Sequence, residues 1–212
     1  MAKKALERRS FTFDVRAEEL DGERILAGRP IIYNSVTDMG AFQEVIDGGA
    51  LDGANLRDVR FLINHDLSKI PLARSRRNNG NSTMQLSVDS EGLKIDWVKL
   101  DVENNADARA LYSAVQRGDI SGMSFAFSVD GEEWENLQTD YPKRHITKIG
   151  SVVEVSAVTF PAYDSTEIYA RSEEALENAR AALENARRSA NPPDGGEELE
   201  LAKARFNFVL SK

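Results

Sequence analysis

The chain has no cysteine. That absence excludes disulfide frameworks, thiol nucleophiles and zinc-thiolate sites together, and it suits a reducing compartment. Histidine is almost as scarce: His65 and His145 are the only two in 212 residues, so imidazole chemistry has two candidates. Positive charge is in deficit, with 27 Lys and Arg against 35 Asp and Glu and a formal net charge of −8. This balance disfavours nonspecific binding to nucleic acid by phosphate neutralisation and favours solubility. No apolar run approaches the roughly 20 residues needed to span a bilayer. The opening Met-Ala-Lys-Lys-Ala-Leu-Glu-Arg-Arg-Ser10 has the charges of a signal peptide without its apolar centre. The expectation is a cytosolic protein that engages neither membrane nor nucleic acid. Its length fits one ordinary domain plus an appendage, with enough apolar surface to fold without disulfides or a structural metal.

What is present begins as strands. Ser10-Phe-Thr-Phe-Asp-Val15 alternates and reads as the first. Residues 24–33, interrupted by Gly28 and Pro30, read as two short strands or one bulged strand. A short helix is expected over 50–56, after Asp47-Gly48-Gly49. Residues 59–65 form a strand with Val59, Phe61, Ile63 and His65 on one face, which puts the imidazole at the end of an inward-facing row. After a short strand over 72–74, residues 74–82 are a basic, polar loop, and 84–88 with 93–100 read as a hairpin around Asp89-Ser-Glu-Gly92. The spacing turns helical over 104–116, with Ala106, Ala110, Leu111, Ala114 and Val115 as its stripe and Gly118 as its stop.

That helix leads into Asp119-Ile-Ser-Gly-Met-Ser-Phe-Ala-Phe-Ser-Val129, a strand with Met123, Phe125 and Phe127 on one face and Ser124, Ala126 and Ser128 on the other. Bulk on one side and small residues on the other predict a shallow trough above Ser124 in which a peptide can lie. Residues 131–141 read as a loop or hairpin arm, and 152–160 as the most β-prone run. After Ser172 the composition changes: Ala175-Leu-Glu-Asn-Ala-Arg180 recurs as Ala182-Leu-Glu-Asn-Ala-Arg187. This predicts a solvated helix with a narrow seam of Leu176, Ala179, Leu183 and Ala186. Asn191-Pro-Pro-Asp-Gly-Gly-Glu-Glu198 is a linker by composition. The division is a main domain over 1–171, a charged helix over 172–190, and a linker with C-terminal tail over 191–212.

Four residue types bear on chemistry. A serine hydroxyl ionises far above neutral pH, so Ser124 as a nucleophile needs a base within hydrogen-bond reach. His65 fits on type, while its neighbour Asp66 equally suits a turn. Glu154 lies among Val152, Val153, Val155 and Val158; a buried carboxylate there costs several kcal/mol, on the order of 3 or more, without a partner. The alternative is a half-wet sheet face. If 120–129 and 152–160 pair, Ser124 and Glu154 share a face with room for an imidazole between them. Arg74 is either an oxyanion donor or a solvated arginine.

Taken in order, Asn64-His-Asp66, Gly122-Met-Ser-Phe-Ala-Phe127 after a Gly-terminated helix, and Glu154-Val-Ser156 followed by Pro161-Ala162 resemble the prohead protease family of tailed bacteriophages. The stretch 42–51 and Pro71-Leu-Ala-Arg74 are similar to that family's pattern, although Ala73 stands where a glycine is expected. The likeness spans about Ser10 to Tyr169. It implies an α+β fold related to herpesvirus assemblins, a small, mostly antiparallel β-barrel with flanking helices. It also implies a serine endopeptidase with Ser124 as nucleophile, His65 as general base and Glu154 as third member, supported by Arg74 at the oxyanion. His145 rivals Glu154, because the herpesvirus enzymes use a second histidine. No cofactor or metal is implied. The implied substrates are the major capsid protein with its scaffolding region, and the chain itself, inside the immature capsid in the host cytoplasm; self-association is left open. The competing class is a non-enzymatic capsid assembly or scaffolding factor.

Overall fold

The computed structural model describes residues 6–12, 15–159 and 173–191. The expectations for Pro161-Ala162, for the Leu176 side chain and for the tail beyond Asn191 lie outside the described residues.

In chain order the strands are β1 (Glu7–Thr12), β2 (Arg16–Leu20), β3 (Glu23–Ile32), β4 (Val36–Asp38), β5 (Gln43–Ile46), β6 (Asp58–Ile63), β7 (Ala73–Arg76), β8 (Met84–Asp89) and β9 (Gly92–Lys99). Helix α1 (Ala106–Arg117) follows, then β10 (Gly122–Glu135), β11 (Lys143–Val158) and α2 (Glu173–Ala190). They form two sheets. One runs β1-β10-β11-β5-β4, with β6 on β11 and β7 on β6; the other runs β2-β3-β9-β8.

These sheets do not close into a barrel, which corrects the implied architecture. Closure requires edge strands to pair with one another. Here β11 is long enough to take two parallel partners end to end, β5 along residues 143–146 and β6 along 154–157. The first sheet therefore branches instead of returning on itself. Its other pairings are antiparallel, so the strand-dominated α+β composition stands.

The core lies between the sheets and under α1. Phe61, Phe125, Phe127 and Val155 of the first sheet and Ile31, Met84, Leu93 and Ile95 of the second are among its fully buried members. Helix α1 begins where the Asn105 side chain accepts from the Asp107 and Ala108 amides, and ends at Gly118 in the left-handed region. It buries Ala108, Leu111, Tyr112 and Val115, a stripe that shares Leu111 and Val115 with the expected one and is rotated from it by about a quarter turn, with Tyr112 turned inward to donate to the Glu18 carbonyl.

Two open alternatives are resolved and one expected helix is replaced by turns. Residues 24–32 lie in one strand, β3, the bulged-strand alternative, with register shifts at Gly28. Residues 50–56 are turns, not helix, since Gly49 and Gly53 both take positive φ, 83° and 76°, and interrupt the right-handed path a helix needs. Strand β10 runs on to Glu135, so 131–135 is a hairpin arm. Helix α2 is seated by Ala179 and Leu183 against Met39 and Phe42, and Arg187 donates to the Leu137 and Thr139 carbonyls at 3.1 and 2.7 Å. Of the described seam residues Ala179 and Leu183 are thus buried and Ala186 is half-buried, so the helix is packed along this face and not solvated all round. No helix among the described residues is long and apolar enough to cross a membrane.

Candidate active site

Strands β10 and β11 pair antiparallel with Ser124 opposite Ser156 and Ala126 opposite Glu154. Directly opposed residues share a face, so Ser124 and Glu154 are diagonal neighbours on it, roughly 7 Å apart at the backbone. An imidazole fills such a gap.

It arrives from β6. That strand runs parallel to β11 with Ile63 beside Ala157, and the chain then reverses through two consecutive left-handed residues, Asn64 (φ 52°) and His65 (φ 58°). Asn and His tolerate that region better than most residues. Asn64 clamps the turn: its amide N–H donates to the Ala157 carbonyl at 2.9 Å, its Oδ1 accepts from the Thr159 amide at 2.9 Å, and its Nδ2 donates to Thr159 Oγ1 at 3.0 Å. His65 therefore sits beyond the strand end, folded back over β11, and not at the end of an inward-facing row.

The three side chains meet. His65 Nε2 lies 2.5 Å from Ser124 Oγ, and Nδ1 contacts Glu154 Oε1. Glu154 Oε2 accepts from Ser156 Oγ at 2.7 Å, and Ser156 Oγ accepts from the His65 amide at 3.1 Å. Glu154 is 3% exposed and Ser124 and Ser156 are fully buried, so the half-wet alternative for this face does not hold. The buried carboxylate has its partners in the imidazole and the Ser156 hydroxyl. Ser156 fixes both the backbone and the acid partner of His65, a role that no sequence argument assigned it. The available signal was position, since 154 and 156 share a strand face at period 2.

Ser124 Oγ has a second neighbour, the Arg9 carbonyl oxygen at 2.7 Å. A hydroxyl has a single proton, so Ser124 donates either to His65 Nε2 or to Arg9. Only the first arrangement readies the oxygen for attack. The expected open trough is absent: β1 lies alongside β10, with Ser10 opposite Ser124.

The other named residues lie apart from this cluster. His145, at the opposite end of β11, contacts Asp47 through Nδ1 at 2.8 Å and approaches Glu135 through Nε2 at 3.2 Å. It is nine residues from Glu154 along the same strand, and its ring nitrogens face Asp47 and Glu135 instead. Arg74 donates to Asp58 through Nε and Nη2 at 2.6 and 2.8 Å. Hydrogen bonding from Arg74 holds the Asp58 carboxyl below its ordinary range. Among the described residues no group of three or more His, Asp or Glu side chains is placed to hold a metal ion.

Beside the site is a buried ionic cluster. Arg9 of β1 pairs with Glu44 of β5, and Arg144 of β11 with Glu7, Glu44 and Glu132. Arg9, Glu44 and Arg144 are each at most 3% exposed. Burial pushes the Glu7 carboxyl up, but the Arg144 hydrogen bonds and the charges of Arg9 and Arg144 outweigh it, lowering the pKa from 4.5 to about 2. Burial likewise opposes the charge on Arg144, and its bonds to Glu7 with the charges of Glu44, Glu7 and Glu132 more than reverse that.

A serine hydroxyl, an imidazole and a buried carboxylate in series can perform nucleophilic acyl transfer. The chain matches the family model of the caudovirus prohead serine proteases over residues 1–180 of its 212. No curated protein and no solved structure matches it. On the extent of that match, the chain belongs to the caudovirus prohead serine protease family.

Proposed function

We propose that this protein is a serine endopeptidase of capsid maturation, acting on the major capsid protein and its scaffolding region within the immature capsid in the host cell. The observation that carries the reading is the unbroken contact from Ser124 Oγ through the His65 ring to Glu154. Ser124 attacks the peptide carbonyl carbon. His65 Nε2 takes the hydroxyl proton as the bond forms and then delivers it to the leaving amine, so the C–N bond breaks to leave an ester on Ser124. A water, deprotonated by the same nitrogen, hydrolyses that ester. Glu154 holds the Nδ1 proton, which keeps Nε2 unprotonated before attack and stabilises the imidazolium after it. Ser156 holds Glu154 in place. Neither His145 nor Arg74 has a part in this scheme, because each is engaged by another carboxylate.

Co-expression with the major capsid protein of the same phage tests this. Wild type is expected to shorten the capsid chain, and His65→Ala or Ser124→Ala to leave it whole. A capsid chain left intact by the wild-type protein inside assembled shells points instead to a non-enzymatic assembly role.

A further inference from the structure

Strand β1 runs antiparallel to β10, with Arg9 opposite Phe125 and Ser10 opposite Ser124. The carbonyl that touches the Ser124 hydroxyl, at 2.7 Å, is that of Arg9. The peptide group in contact with the proposed nucleophile, through its carbonyl oxygen, is therefore that of Arg9–Ser10, and it lies alongside β10 as a peptide substrate is held by β-strand addition. The flanking side chains are also specifically received. The Arg9 guanidinium is bound by Glu44, through Nε to Oε1 and through Nη2 to Oε2 at 2.6 Å, and lies 5.6 Å from the centre of the Phe127 ring. Two residues earlier and on the same strand face, Glu7 is held by Arg144 Nη1 and Nη2 at 2.8 and 2.9 Å. Glu44 and Arg144 are themselves opposite each other across β5 and β11. An acid and a base two apart on β1 thus meet a base and an acid on the sheet.

Compared with well-packed apolar residues such a cluster gains little stability, because desolvation of buried ions offsets most of their attraction, yet removing any one member is costly. As a selector it is effective, since a substrate lacking the arginine leaves Arg144 as the single cation facing Glu7, Glu44 and Glu132, and one lacking the glutamate takes a carboxylate from both Arg9 and Arg144. Resting on the peptidase reading above, we infer that Glu44 and Arg144 form a recognition site for Glu-Xaa-Arg before the scissile bond, and that β1 is its first occupant, cut between Arg9 and Ser10. Ser124 attacks the Arg9 carbonyl carbon, the bond to the Ser10 nitrogen breaks, and His65 returns the proton to that nitrogen. Residues 1–9 are left as an ester on Ser124, which water releases as a carboxylic acid. Glu7-Arg8-Arg9 is the one Glu-Xaa-Arg sequence in the chain, so the inference names one bond. It also sets an order. Ser124 is fully buried with β1 in place, so a second chain reaches it only after β1 has been cut or displaced.

Intact-mass measurement on purified full chains tests this. Wild type is expected to lose residues 1–9 and begin at Ser10, and Ser124→Ala to keep them. Arg9→Met is expected to slow the cut about a hundredfold, the scale of truncating one partner of a buried, hydrogen-bonded charge pair, with Arg9→Lys intermediate because it keeps the charge and loses the fork. The same pocket is tested without altering the protein by offering wild type that has completed its cut the peptide Leu-Glu-Arg-Arg-Ser-Phe-Thr. Cleavage is expected before its serine, with a comparable loss of kcat/KM when the arginine before that serine is replaced by methionine. Wild type that shortens the capsid protein yet keeps residues 1–9, or is cut at a different bond, overturns this inference and leaves the proposed function standing. Wild type that cuts neither itself nor the capsid protein removes both. Equal rates for the arginine and methionine peptides overturn the pocket.

Discussion

Glu7 offers the sharpest physical test of how β1 is held on the sheet. Its carboxyl titrates at about 2 in the folded chain against an ordinary 4.5, and at about 1.4 kcal/mol per unit that difference corresponds to about 3 kcal/mol of stability. The side chain is only 12% exposed, so solvent screening removes little of it. The sign follows from the direction. A folded-state pKa depressed below the unfolded one gives stability that is complete above about 4.5 and is lost as pH falls through about 2. Glu7→Gln, made in a Ser124→Ala chain so that residues 1–9 stay attached, is therefore expected to cost about 3 kcal/mol at pH 7. The deficit should roughly halve by pH 3 and fall below about 1 kcal/mol by pH 2.5. Urea unfolding of both chains across that range measures it, and hydrogen exchange at the β1 amides shows whether the loss is local to the strand. A deficit that is the same at pH 7 and pH 2.5 would refute the ionic account of β1 docking.

Other expectations concern the reacting groups and the scaffold. Glu154→Gln keeps shape but allows its amide to donate to Nδ1, which puts the proton on Nε2; a fall in kcat of about 10²- to 10⁴-fold with near-native stability is expected from steady-state kinetics and thermal unfolding. Ser156→Ala removes the hydroxyl that bridges the His65 amide and Glu154, and is expected to lower kcat about tenfold or more while costing about 1 to 3 kcal/mol in denaturant unfolding. Asn105→Ala, which deletes the N-cap of α1, should cost about 1 kcal/mol and leave kcat unchanged. A loss of activity there would mean that α1 does more than support the core.

Local pattern carried a good deal of this molecule. The period-2 alternation around Phe125 and Val155 was enough to expect both strands, while their pairing stood only as a condition, and the apolar spacing with Gly118 as stop marked α1 to within a residue or two. The conspicuous acid Glu154, set among valines, and the scarcity of histidine narrowed the choice of reacting groups. Those signals are local because side-chain direction repeats with the backbone. The tertiary structure decided what local pattern cannot encode. Whether the first sheet closes depends on β11 taking β5 and β6 in turn, a matter of long-range register. Whether His65 faces β11 depends on a left-handed turn pinned by Thr159, 95 residues away from Asn64. The occupation of the site by Arg9 and Ser10 arises from an edge pairing between residues more than a hundred positions apart. In sequence Glu7 and Arg9 are two more charges in a charged N-terminus; only with Arg144 and Glu44 brought beside them do they become complementary.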